Sequence, residues 1–175
     1  MRIATGLAAA ALLSIGLGAG VLAQPGADDG TLYIRQLMQA DVNPAILEIW
    51  DVGNNAMNDE GGIDPAKMDQ ARWDRLAAAA GSLAAASRTI AAADRISAAM
   101  PGNMETAEGE ISMADVQRYI DADTDGLKEL ALEQADHADR LVTAAKARDA
   151  ATAGELVAGM DLVCESCHAR YWYPE

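Results

Sequence analysis

The chain has 175 residues and a formal net charge of −14; it has no phenylalanine, and aromatic residues make up 4% of it. So acidic a chain argues against nucleic acid and anionic membrane surfaces as partners and for a basic or cationic one. Runs rich in Val, Ile and Thr with period two are missing, while alanine is abundant, which points to closely packed helices with a core of small residues, Leu and Met.

The N-terminus has the layout of a secretory signal peptide: Arg2, then the uncharged run "IATGLAAAALLSIGLGAGVL", then Ala23 at the expected cleavage position before Gln24. Residues 1–23 are therefore expected to be removed, leaving 24–175 as one domain outside the cytoplasm, in a bacterial periplasm. The same run is about long enough to span a membrane. Cleavage is the favoured reading, because no positive cluster follows and "QPGADDG" is small and acidic. No stable membrane anchor is then expected.

Four helical segments follow. The first is expected over Thr31 to Asp51, with Leu32, Arg35, Met38, Val42, Ala45, Ile46 and Ile49 at helical spacing and a kink at Pro44. "VGNNAMNDEGG" reads as a loop. The second is expected from Asp64, an N-cap followed by Pro65, to Met100, with Leu76, Leu83 and Ile90 repeating every seven residues. The third starts at Ser112, where "SMAD" fits a capping box, and runs to about Arg148. Its stripe is Val116, Ile120, Leu127, Ala131, Ala135, Ala138, Val142 and Ala145. Inside it, "DADTDG" (121–126) imitates the start of a calcium loop. Its twelfth position is Leu132 instead of glutamate, so it reads as an acidic surface or local break. The fourth starts at Thr152, with Glu155 completing a capping box. Leu156, Met160, Val163, Cys167 and Tyr171 are its buried stripe, and Pro174 lies beyond its end. Short later loops favour antiparallel neighbours. The expected fold is all-α, an antiparallel four-helix bundle.

The last helix carries "CESCH", Cys164 to His168, which holds both cysteines of the chain and one of its two histidines. A disulfide here would close a tiny loop and stabilise little. A structural zinc site needs four ligands, and His137 is remote in sequence. A thioredoxin-like redox pair would want a βαβ pattern that the chain lacks. Covalent haem attachment fits: at i, i+3 and i+4 the three side chains share a helix face, so both thiols can form thioethers with one porphyrin while His168 binds the iron. One haem c is expected, held by Cys164 and Cys167, with His168 as proximal ligand.

An apparent signal peptide, four helices and C-x-x-C-H near the end of the last helix resemble the cytochrome c′ superfamily, the class II c-type cytochromes of bacterial periplasms. The resemblance spans the region after the leader. Its low-spin members place a methionine of the first helix on the iron and carry electrons. Its high-spin members leave that position empty and bind nitric oxide or carbon monoxide. "RQLMQ" looks like the ligand-bearing segment and offers Met38 as distal ligand. The resemblance thus implies an electron carrier rather than an enzyme, docking on a redox partner with a basic surface, with gas binding as the alternative. It also implies homodimers formed through the first two helices.

Arg170, two residues after the haem histidine, and Arg35 are candidates for pairing with haem propionates. His137, among charged neighbours, reads as a solvated surface residue. Met100, Met104 and Met160 are weaker ligand candidates than Met38. Tyr171, Trp172 and Tyr173 form an aromatic terminus expected to pack on the bundle end or the haem edge.

Overall fold

The computed structural model describes residues 30–173 apart from 107 and 110. The expected leader, 1–23, and Pro174 lie outside the described residues. In chain order come β1 (Thr31–Tyr33) and α1 (Ile34–Leu37), which passes through a π-helical turn (Met38–Val42) into α2 (Asn43–Asn55). A 3₁₀ turn (Pro65–Lys67) precedes α3 (Gln70–Ala92) and β2 (Arg95–Ser97). Then follow α4 (Met113–Ala122), α5 (Thr124–Ala147), α6 (Ala150–Ala158) and α7 (Met160–Tyr171). The fold is all-α in its bulk. Among the described residues, strand is confined to the parallel pair of β1 and β2, with Leu32 opposite Ile96, and one isolated bridge from Met57 to Ile63.

The first helical segment runs through Pro44 without a break, from Ile34 to Asn55. Proline has no N–H for the Ala40 carbonyl, and its ring crowds that carbonyl. The helix answers by widening: the Asn43 N–H reaches back to Met38 O, giving a π turn in place of a break.

Helix starts follow side-chain caps, and several differ from the expected ones. Asp64 caps only the 3₁₀ turn, through Ala66 N at 2.9 Å; α3 is capped by Asp69, through Arg72 N at 2.9 Å. At its other end α3 stops at Ala92, not Met100, because the chain leaves to pair with β1. Ser112 caps α4 as expected, through Asp115 N at 3.1 Å. The expected third helix is broken at Asp123, whose side chain caps α5 through Gly126 N at 3.2 Å. A Cβ on Gly126 would run into that carboxylate, so the glycine of "DADTDG" serves the cap. Asp149, not Thr152, caps α6, accepting from Thr152 N at 3.1 Å.

α3 lies along α5 with alanine-rich faces in contact, α2 packs on α3, and α6 and α7 pack on α5. The expected seam holds: Leu76, Leu83 and Ile90 are buried, as are Ala131, Ala135 and Ala138 opposite them. The core falls into two clusters. One is built from α2, α3, α6 and the later part of α5. The other is built from Ile34, Ile90, α4, the first turns of α5, Tyr171 and Trp172.

Candidate functional site

The gap between the two core clusters is where the sequence motif lies. Cys164 packs against the first cluster and Cys167 against the second, while Leu37 and Met38 touch both. One face of α7 presents Val163, Cys164, Cys167 and His168 to a cavity of about 220 Å³. Met38, Val42, Ile46, Leu47 and Trp50 of the first segment form its second wall. Leu127, Leu130, Ala131 and Gln134 of α5, with Ile90 of α3, complete it. The lining is apolar apart from Asn43, Gln134, His168 and the sulfurs. A second cavity of about 200 Å³ adjoins it, sharing Met38, Asn43 and His168 and adding Arg35, Gln39, Trp172 and Tyr173. An apolar slot therefore continues into a polar vestibule.

The electrostatics suit neutral ligands. Burial pushes the Cys167 thiol up to about 11 and raises that of Cys164; nearby Asp161 adds to the Cys164 shift. Both are free thiols in the chain as described. Two half-buried thiols whose pKa values are raised are poorly suited to thiol–disulfide exchange, which works through an accessible thiolate. Burial also holds the His168 imidazole below its ordinary value, against a smaller opposing pull from Glu165. The shift favours the neutral form of the ring, which is the form that binds a metal. Trp172 and Tyr173 meet it edge-on, with centroids 6.5 and 6.1 Å away.

The structure brings Cys164, Cys167, His168, Met38 and Arg35 to one connected cleft. Arg35 lies in the vestibule wall, its Nη1 donating to the carbonyls of Asn103, at 3.4 Å, and Glu105. Arg170 is turned elsewhere: it pairs with the Asp123 carboxylate at the α4–α5 junction and lines neither cavity. Met100, Met104 and Met160 also lie outside both linings, Met160 being fully buried core. His137 is not a solvated side chain. It is half-buried, and its Nε2 lies 2.8 Å from Leu156 O, tying α5 to the end of α6.

Sequence reading missed Gln134 and Trp50. Trp50 extends the stripe of Val42 and Ile46 by one helical turn, a signal present in the spacing. Gln134 is polar on an otherwise apolar face, and only the rotation of α5 against α7 turns it to the slot. Its Nε2 donates to Cys164 Sγ at 3.8 Å.

Two thiols and an imidazole on one face of one helix, opening into an apolar slot with a methionine in its wall, are a donor set that fits a covalently held haem. Among the described residues no group of three or more His, Cys, Asp and Glu side chains could hold a bare metal ion. No described helix is long and apolar enough to cross a membrane. No family model matches the chain, and no curated protein or solved structure matches it.

Proposed function

We propose that the chain is a monohaem c-type cytochrome that carries electrons outside the cytoplasm. In this reading it is an antiparallel four-helix bundle of the cytochrome c′ kind, with haem on the last helix. The observation that carries the reading is the convergence of Cys164, Cys167, His168 and Met38 on one apolar slot between α2 and α7. Bound haem would supply a one-electron couple. The cysteines would hold it as thioethers, and the neutral His168 imidazole and the Met38 thioether are the two residues suited to its iron. Val42, Ile46, Leu127 and Leu130 would give the bound group an apolar surrounding, which would favour its less charged, reduced state. Arg35, in the polar vestibule, is placed to meet carboxylates at the cofactor edge.

The net charge of −14 suits a basic docking partner, and no catalytic constellation beyond the slot supports an enzyme. The same apolar lining is what a five-coordinate binder of nitric oxide or carbon monoxide would need, so that reading stands second. Export with a leader fits the first residues, and homodimerisation through the first two segments remains part of the proposal. The deciding experiment is intact mass and a pyridine haemochrome spectrum of protein made with the haem maturation machinery present. A mass increment of one haem, lost when both cysteines are replaced by serine, is expected. Mature protein with no added haem overturns the reading.

A further inference from the structure

Ser87 is fully buried on α3, in a run of alanines and leucine, and among the described residues it is the polar side chain that the core encloses. A serine there is a poorer helix former than alanine, and a buried hydroxyl costs free energy unless bonded. Its Oγ lies 2.8 Å from Leu83 O and 2.9 Å from Gln134 Oε1. The hydroxyl carries one proton, which these two carbonyl oxygens share. The second contact does something further, because it takes up the carbonyl end of the Gln134 amide. The amino end is then left facing the slot, where it donates to Cys164 Sγ at 3.8 Å.

We infer that Ser87 and Gln134 form a relay that holds a hydrogen-bond donor on the Cys164 sulfur and so sets the reduction potential of the group attached there. The inference rests on the haem reading above. A thioether sulfur keeps weak acceptor capacity. A donor on it draws electron density from the conjugated ring and favours the reduced form, which is one of the means by which surrounding hydrogen bonds tune a metal group. Gln134 supplies the donor here, and Ser87 is the positioning residue, acting through Gln134 without lining the slot. Freed from Ser87, the amide can turn its oxygen to the sulfur and the donor is lost.

The test is a double-mutant cycle on haem-loaded protein, read as reduction potential by mediator titration, with haem content of each variant measured first. Ser87→Ala and Gln134→Met should each shift the equilibrium about two- to fivefold toward the oxidised form, the scale of one weak hydrogen bond. The double variant should shift no further than Gln134→Met. A haem-loaded Ser87→Ala with unchanged potential overturns the relay, and so does a Ser87→Ala shift that survives in full beside Gln134→Met. Native protein that matures without haem overturns the underlying reading and the relay with it. These failures are distinguished by haem content alone.

Discussion

The Tyr171 hydroxyl donates to the backbone carbonyl of Asp123 at 2.9 Å, and it does so from a nearly fully buried position. The bond ties the end of α7 to the junction where α4 gives way to α5. Asp123 receives Arg170 on its carboxylate as well, so two consecutive residues after the histidine grip one residue of the neighbouring helix pair. Burial, with the Asp123 charge beside it, pushes the Tyr171 phenol up to about 12, so it stays a donor at physiological pH. Replacing Tyr171 by phenylalanine leaves the Asp123 carbonyl without this donor and should cost about 1 kcal/mol, read as a lower urea midpoint at unchanged slope. The exposed Arg170 pair should matter less, since such ion pairs contribute little alone. An Arg170→Gln variant less stable than Tyr171→Phe would contradict this ranking.

Acid sensitivity is assigned to the helix caps. The Asp149 carboxyl is held below its ordinary value by hydrogen bonds from the Thr152 hydroxyl and amide. That of Asp115 is held low by the Ser112 hydroxyl and then by Arg118. In both cases the unfolded chain binds the proton more readily, so stability rises with pH across the interval between the two values. The stabilisation is complete above the ordinary carboxylate range near ~4 and is lost as pH falls through the lower folded-state value. Asp149→Asn keeps a capping acceptor but removes the titration. Its denaturation midpoint should therefore fall less steeply below about pH 4 than that of the native chain. Parallel acid limbs would remove Asp149 from the account.

The divided core makes the cofactor part of the fold in the proposed reading. Cys164 and Cys167 stand on the borders of two separate clusters, with the slot between them. A group that fills the slot joins the clusters and binds only the folded chain, which stabilises it by linkage. Protein with both cysteines replaced by serine, and hence without covalent haem, should lose several kcal/mol of stability. Its weakened part should be α7 and the Tyr171 cluster, seen as faster amide exchange there than in α3. Equal melting temperatures with and without the group would argue that the core is complete without it.

Local chemistry explains which features could be read before the structure. The Leu76, Leu83 and Ile90 seam was legible because a seven-residue repeat has one helical solution, and Ser112 because a serine followed three residues later by a carboxylate caps its own helix. The motif at Cys164, Cys167 and His168 was legible as a shared helix face because that depends on spacing alone. What needs partners distant in sequence was not legible. Leu32 joins a strand only because Ile96 comes beside it, and that pairing also ends α3 early. Asp69 was overlooked beside Asp64 and Pro65, which carry the stronger local signal and start only a 3₁₀ turn. Gln134 and Arg170 depend on how α5 and α7 are rotated, so their directions toward Cys164 and Asp123 were hidden in the sequence.

Met38 divides the two functional readings. It stands at the first residue of the π turn that Pro44 induces, and it lines both the slot and the vestibule together with His168. If its thioether occupies the iron, the oxidised protein is low-spin, shows the weak far-red absorption of methionine ligation, and binds carbon monoxide slowly, since the position is taken. A soft neutral ligand also raises the reduction potential. Met38→Ala should then abolish the far-red band, lower the potential and open the site to carbon monoxide. Pro44→Ala supplies an independent check: with an N–H restored at position 44, the regular helix can re-form and turn Met38 away from its present direction. It should weaken the same band without removing the methionine. A native protein that is high-spin and takes carbon monoxide at once would make Met38 a packing residue and leave gas binding as the function.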